Sequence, residues 1–186
     1  KILQRGIQAP VPLVLIDHVE RPACEPSYLI VENLSDYIPL RRVLNAVRSG
    51  KSLPIDVDHD TFIRLLAGFV REIHKNGVYH RDLTGGNILL SRHVTHTESV
   101  PRLKFALIDV ARSRFRRHVS LLDRHRDLSR VRLPACDRWL FYDHYQCCPA
   151  SIKRWRWVHY RIVHSLYRMK YNLKNPRRFL RLLRRK

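Results

Sequence analysis

His80, Arg81 and Asp82 stand between two apolar runs in the stretch NGVYHRDLTGGNILL, residues 76–90, with Gly85, Gly86 and Asn87 close behind. Both flanking runs want burial. The polar groups between them need hydrogen-bond partners or water. The chain must therefore turn there, at the rim of a core, and enter a strand. The run before it reads as a helix over residues 58–77. In DHDTFIRLLAGFVREIHKNG, Phe62, Leu65, Leu66, Phe69, Val70 and Ile73 recur at helical spacing and form one apolar stripe. Asp60 or Thr61 can cap its start, and Gly77 suits the left-handed residue past its end. After the polar stretch, NILLS and KFALIDVA read as short strands, with RHVTHTESVPR between them as a surface loop.

The remaining segments fill out an α+β order. VPLVLIDHV (11–19) and SYLIVENL (27–34) read as an antiparallel strand pair, divided by the turn-prone ERPACEP. PLRRVLNAVRSG (39–50) reads as a short helix, with Pro39 near its first turn and Gly50 past its end. From about residue 120 the chain is helical and basic: SLLDRHRDLSRVRL, CDRWLFYDHYQ, SIKRWRWVHYRIVHSLYRMKYNL and PRRFLRLLRRK. The apolar stripe of the third, Trp155, Val158, Ile162, Val163, Leu166 and Met169, is expected to pack into the core. No repeat or low-complexity tract is present, and no apolar run approaches membrane-spanning length. The chain begins at Lys1 without the layout of a signal peptide, so its true start is expected upstream.

HRDLTGGN fits His-Arg-Asp-Leu-x-x-x-Asn, the pattern of a kinase catalytic loop. Phosphoryl transfer needs a carboxylate that orients the attacking hydroxyl and takes its proton, together with oxygen ligands for Mg²⁺. Asp82 is the candidate carboxylate and Asn87 the candidate metal ligand. Gly85 and Gly86 would ease the turn, and His80 and Arg81 would brace the loop. Asp109, at the end of the apolar run FALID, is the second candidate metal ligand. An ordinary turn acid is the plain alternative for it. Val110 and Ala111 follow where a protein kinase has Phe-Gly, and no Ala-Pro-Glu comes after. The other histidines read as loop and surface residues.

Lys plus Arg number 36 against 16 acids, a net charge of +20. Such a chain is drawn to polyanions, and its preference for Arg suits forked recognition of phosphate and carboxylate. No nucleic-acid-binding motif accompanies the charge, so a nucleic-acid partner is not expected. Cys24, Cys136, Cys147 and Cys148 lack the spacing of a metal clip and read as reduced thiols.

The chain resembles the lipopolysaccharide kinase (Kdo/WaaP) family through LQRGIQAPVPL, SYLIVENL, GVYHRDLTGGNILL, LIDVARSRFRR, RHRDLSRV and FYDHYQ. The resemblance implies a protein-kinase-like fold. Residues 1–34 would be the end of a small lobe and its hinge, and 35–186 a mainly helical large lobe. It implies ATP and Mg²⁺, and transfer to a sugar hydroxyl, Kdo or heptose, of the lipopolysaccharide inner core. It also implies a cytoplasmic enzyme at the inner-membrane surface. Asp82 would be the base, Asn87 and Asp109 the metal ligands, Asp127 a brace for the catalytic loop. The backbone at Glu32, Asn33 and Leu34 would meet adenine. The family's glycine-rich loop and ATP-phosphate Lys would lie upstream of Lys1.

Other readings remain open. A kinase-like enzyme acting on protein or a small molecule would share the motif. A cationic substrate fits the basic surface poorly. A non-catalytic kinase-like scaffold has no need of Asp82, Asn87 and Asp109 together. RWRWVHYR is read as a helix packed on the large lobe with a solvated basic face, whereas PRRFLRLLRRK is open between that and an interfacial helix.

Overall fold

The computed structural model describes residues 1–17, 28–92, 95–97 and 100–174. ERPACEP with Cys24, and PRRFLRLLRRK, lie outside the described residues. In chain order the elements are β1 (Pro12–Ile16), β2 (Tyr28–Val31), β3 (Tyr37–Pro39), α1 (Leu40–Arg48), α2 (His59–Lys75), β4 (Val78–Tyr79), β5 (Ile88–Ser91), β6 (Thr95–Thr97), β7 (Val100–Arg102), β8 (Phe105–Leu107), β9 (Arg114–Phe115), α3 (Leu121–Val131), α4 (Asp137–Gln146) and α5 (Ala150–Lys174). The class is α+β, with small antiparallel sheets and a mainly helical C-terminal part. The chain forms two compact units, residues 1–59 with 85–111 and residues 60–84 with 112–186.

In the first unit, β1 and β2 pair antiparallel, Ile16 opposite Tyr28 and Pro12 opposite Val31. Apolar residues point to both faces of this hairpin, and every strand residue is exposed. A second, three-stranded antiparallel sheet runs β3-β5-β8. Pro39 ends β3 in an extended conformation and sits at the N-cap of α1, whose Leu40, Val43 and Leu44 are buried. Pro suits that place because it has no N–H to leave unpaired. The connector expected to be a loop contains β6 and β7, paired antiparallel from Thr95 opposite Arg102 to Thr97 opposite Val100. A polar composition does not separate a loop from a hairpin, and the β-branched Thr95, Thr97 and Val100 favour extended backbone.

In the second unit, α2 begins at His59, so Asp60 and Thr61 lie in its first turn and not at its cap. Its buried face is Phe62, Ile63, Leu66, Ala67, Val70, Ile73 and His74, while Leu65 and Phe69 are half-buried flanks. Gly77, beyond its end, takes φ 71°. β4 pairs with β9, Val78 opposite Phe115 and Tyr79 opposite Arg114. Ser120 caps α3 by accepting the Asp123 amide at 3.2 Å.

The α5 helix packs on α3 and α4 through its aromatic side, not through the stripe expected from the sequence. Tyr160 is buried and stacks on Tyr142 with ring centres 5.1 Å apart. Arg130 and Arg132 of the α3 end lie over the rings of Tyr167 and Tyr171. Trp155, Val158, Ile162, Leu166 and Met169 are instead between 53% and 67% exposed, and Val163 is half-buried. The helix carries two faces capable of burial. Tyr160, His164, Tyr167 and Tyr171 won because the neighbouring helices offer ring and guanidinium partners.

The histidines likewise depart from the surface reading. His74, His125 and His164 are buried. His125 meets the Tyr142 hydroxyl at 2.8 Å and the His159 ring at 2.7 Å. Burial, reinforced by nearby His159 and Arg156, pushes His125 down to about 3, and burial pushes His164 down to about 4. Unfolded histidine titrates near pH 6.5. Below that value the unfolded chain takes up protons that the folded chain still refuses. Stability is therefore full above about pH 6.5 and declines as pH falls toward 4. Thermal unfolding followed from pH 7.5 to 4.5 is expected to show Tm falling across this window, less steeply in His164→Phe. A level or rising Tm would contradict it.

Candidate active site

Asp127 is fully buried on α3. A bare carboxylate there would be costly to desolvate. Its Oδ2 accepts the His80 amide at 2.8 Å, and its Oδ1 accepts the Arg81 amide at 2.9 Å. His74 Nε2 lies 3.4 Å from Oδ2, and Arg130 Nη1 lies 3.9 Å from Oδ1. Burial lowers the His74 pKa, so its ring is neutral at neutral pH. Nε2 then donates to the carboxylate, and Nδ1 accepts from the Tyr145 hydroxyl at 2.7 Å. Tyr145, kept protonated by its own burial, completes a chain from α4 through α2 and α3 to the loop.

That chain fixes the backbone leading to Asp82. Arg81 is exposed and takes φ 69°, a left-handed conformation unusual for a residue with a Cβ. The two amide bonds to Asp127 help hold it there. Buried His80 directs Nδ1 back to the Asp82 amide at 3.3 Å. The Asp82 carbonyl accepts the Thr84 amide at 2.7 Å, closing a tight turn. Leu83 is buried, whereas Asp82 is half-buried.

Asn87 and Asp109 belong to the first unit, where strand pairing brings them together. Ile88 stands opposite Leu107 in the β5-β8 ladder, and the Ile108 amide donates to the Asn87 carbonyl at 3.0 Å. Asn87 therefore precedes one strand where Asp109 follows its neighbour. Asp109 is exposed and takes φ 52°, a second left-handed residue. An amide oxygen and a carboxylate at adjacent strand ends are a hard-oxygen donor set that suits Mg²⁺.

The two glycines serve differently from the sequence reading, since neither takes a positive φ. Gly85 accepts the Arg41 amide at 2.6 Å, and a Cβ built on it would meet that same nitrogen at 3.1 Å. Close backbone approach, not turn conformation, requires glycine there. At the proposed adenine-contact segment, the Glu32 amide donates to the Val11 carbonyl at 2.8 Å, and Glu32 Oε2 accepts the Val11 amide at 3.3 Å. Asn33 is exposed and Leu34 half-buried. The His74-Tyr145 part of the Asp127 network escaped the sequence reading. Its one signal was His74 continuing the buried stripe of α2, one residue after Ile73.

Residues 1–139 match the model of the lipopolysaccharide kinase (Kdo/WaaP) family, a span containing Asp82, Asn87, Asp109 and Asp127. Among solved structures, WaaP in complex with acyl carrier protein is similar. It is 20% identical, the likeness covers 87% of this chain and 72% of that one, and the TM-score is 0.61. That likeness is one of fold, the kinase-like α+β architecture. A search of curated proteins finds no match.

Two substitutions test the local geometry. Asp127→Ala leaves the His80 and Arg81 amides without their acceptor and is expected to cost about 3 kcal/mol of stability in urea unfolding. Gly85→Ala forces the Arg41 backbone to give way and is expected to cost about 1 kcal/mol. A loss below about 0.5 kcal/mol for Asp127→Ala would contradict the bracing role.

Proposed function

The chain belongs to the lipopolysaccharide kinase (Kdo/WaaP) family, whose members are kinases, and we propose that it transfers the γ-phosphate of ATP to a sugar hydroxyl of the lipopolysaccharide inner core. The observation that carries this reading is the family match over a span that retains Asp82, Asn87 and Asp109 together. In this reading residues 1–34 are the end of the small lobe and its hinge, and 35–186 the large lobe.

Asp82 is the base. Its backbone is tied to a braced loop, and its half-buried carboxylate would orient an acceptor hydroxyl and receive its proton. His80, Arg81 and Asp127 hold that loop and take no part in bond making. Asn87 and Asp109 would hold Mg²⁺ through side-chain oxygens, and the ion supplies charge neutralisation on the phosphates. The left-handed backbone at Asp109 fixes where its carboxylate leaves the β8 end. The Glu32 amide is already engaged by Val11, so adenine would be met by the Glu32 carbonyl and the amides of Asn33 and Leu34.

The acceptor class follows from charge. Arg81, Arg112 and Arg114 are exposed in the second unit, and Arg114 stands opposite Tyr79, on the strand beside the one leading to Asp82. Guanidinium groups there suit the phosphates and carboxylates of an anionic glycolipid. A net charge of +20 favours the anionic inner-membrane surface on the cytoplasmic side, where this acceptor would be met.

The test is ATP-dependent phosphate incorporation into lipopolysaccharide core by the full-length protein. Asp82→Ala is expected to lower the rate about 10²–10⁴-fold. Asn87→Ala is expected to raise the Mg²⁺ concentration needed for half-maximal rate. Incorporation unchanged by Asp82→Ala would defeat its role, and transfer to protein in place of glycolipid would redirect the acceptor.

A further inference from the structure

The α5 helix turns one face to its neighbours and leaves the opposite one bare. At about 100° per residue, Ile152, Trp155, Val158, Ile162, Leu166, Met169 and Leu173 fall on a single stripe facing away from buried Tyr160 and His164. All seven are exposed, Trp155 at 67% and Leu173 at 75%. The stripe runs about 32 Å at 1.5 Å per residue. Arg154, Arg161 and Arg168, each seven residues after the last, line one flank, and Lys170 lies on the other; all four are exposed. No Asp or Glu occurs anywhere in α5.

We propose that this face of α5 lies on an anionic lipid surface, its apolar ridge in the acyl-headgroup boundary and its arginines among the phosphates. The charge pattern selects the occupant. A second copy of α5 would set arginine flank against arginine flank with no acid to compensate. The ridge is a convex helix surface, hollowed only shallowly where Ser151, Ile152, Trp155 and Arg156 line an open depression, and such a surface suits a fluid interface better than a folded protein core. Exposed Trp155 has the amphipathic ring that membrane interfaces favour. Among the described residues no helix is long and apolar enough to cross a membrane. The helix therefore lies in the plane of the interface, held by apolar burial and cationic attraction together. This deepens the glycolipid reading and rests on it for its biological use, since the acceptor would be anchored in the same surface.

Vesicle co-sedimentation of the full-length protein tests it, with phosphatidylglycerol-phosphatidylcholine vesicles against pure phosphatidylcholine, both free of lipopolysaccharide. Kinase activity is not needed for the readout, so failure here and failure of the kinase reading are separable. Binding at least about ten-fold tighter to the anionic vesicles is expected, weakened in 0.5 M NaCl. Ile162→Glu with Leu166→Glu should abolish it, and Arg154→Glu with Arg161→Glu and Arg168→Glu should remove the lipid preference. Both sets alter exposed side chains, and an unchanged Tm shows that folding is intact. Binding retained by the Ile162/Leu166 variant, or absent from the unaltered protein, overturns the proposal. So does a dimer in sedimentation velocity that the same variant dissociates, which assigns the face to a second copy. Equally tight capture by soluble poly-glutamate, lost in that variant, assigns it to an acidic protein and also overturns it.

Discussion

Asp127 is tolerated in a fully buried position because both of its oxygens accept main-chain amides, His80 on one and Arg81 on the other. His74 and Arg130 add weaker support. Desolvation would otherwise make a lone carboxylate there destabilising. The consequence is directional. An α3 side chain specifies the path of a loop that precedes it in sequence, and the left-handed Arg81 is held within that path. His74 and Tyr145 extend the hold to α2 and α4, so three helices define where the backbone of Asp82 begins.

The first unit achieves a comparable result with a strand ladder. β5 and β8 are short, and their pairing continues one step past the strands through Ile108 and Asn87. That extra bond sets the relation of Asn87 to Asp109 by backbone geometry alone. Gly85 acts similarly, since its missing Cβ lets the Arg41 amide at the start of α1 reach its carbonyl at 2.6 Å.

Charge is distributed with a similar division of labour. Buried acids such as Asp123 and Asp127 face specific arginines or amides. Exposed arginines include Arg81 on the catalytic-loop segment, Arg112 and Arg114 after Asp109, and Arg154, Arg161 and Arg168 along one flank of α5. A surface shaped for solubility alone would intersperse both signs. Here an uncompensated cationic surface accompanies an uncovered apolar ridge, the combination that an anionic interface would satisfy on both counts.

The α+β class, the helix over 59–75, the strands on either side of the polar loop and the β1-β2 pair were legible in the sequence, because each rests on local periodicity or on residues fixed by their own φ preferences. The residues proposed for catalysis were legible for the same reason: their spacing is a property of the chain. The burial of His74, His125 and His164, the choice between the two faces of α5, and the reason for glycine at position 85 were not. Each depends on what a distant segment presents, Asp127 and Tyr145 for His74, Tyr142 for His125, the α3 arginines for Tyr167 and Tyr171, Arg41 for Gly85. Local sequence determines what a segment can form and which sides of it can be buried. Only the tertiary structure decides which side is buried, because that free energy lies in partners brought close by the fold.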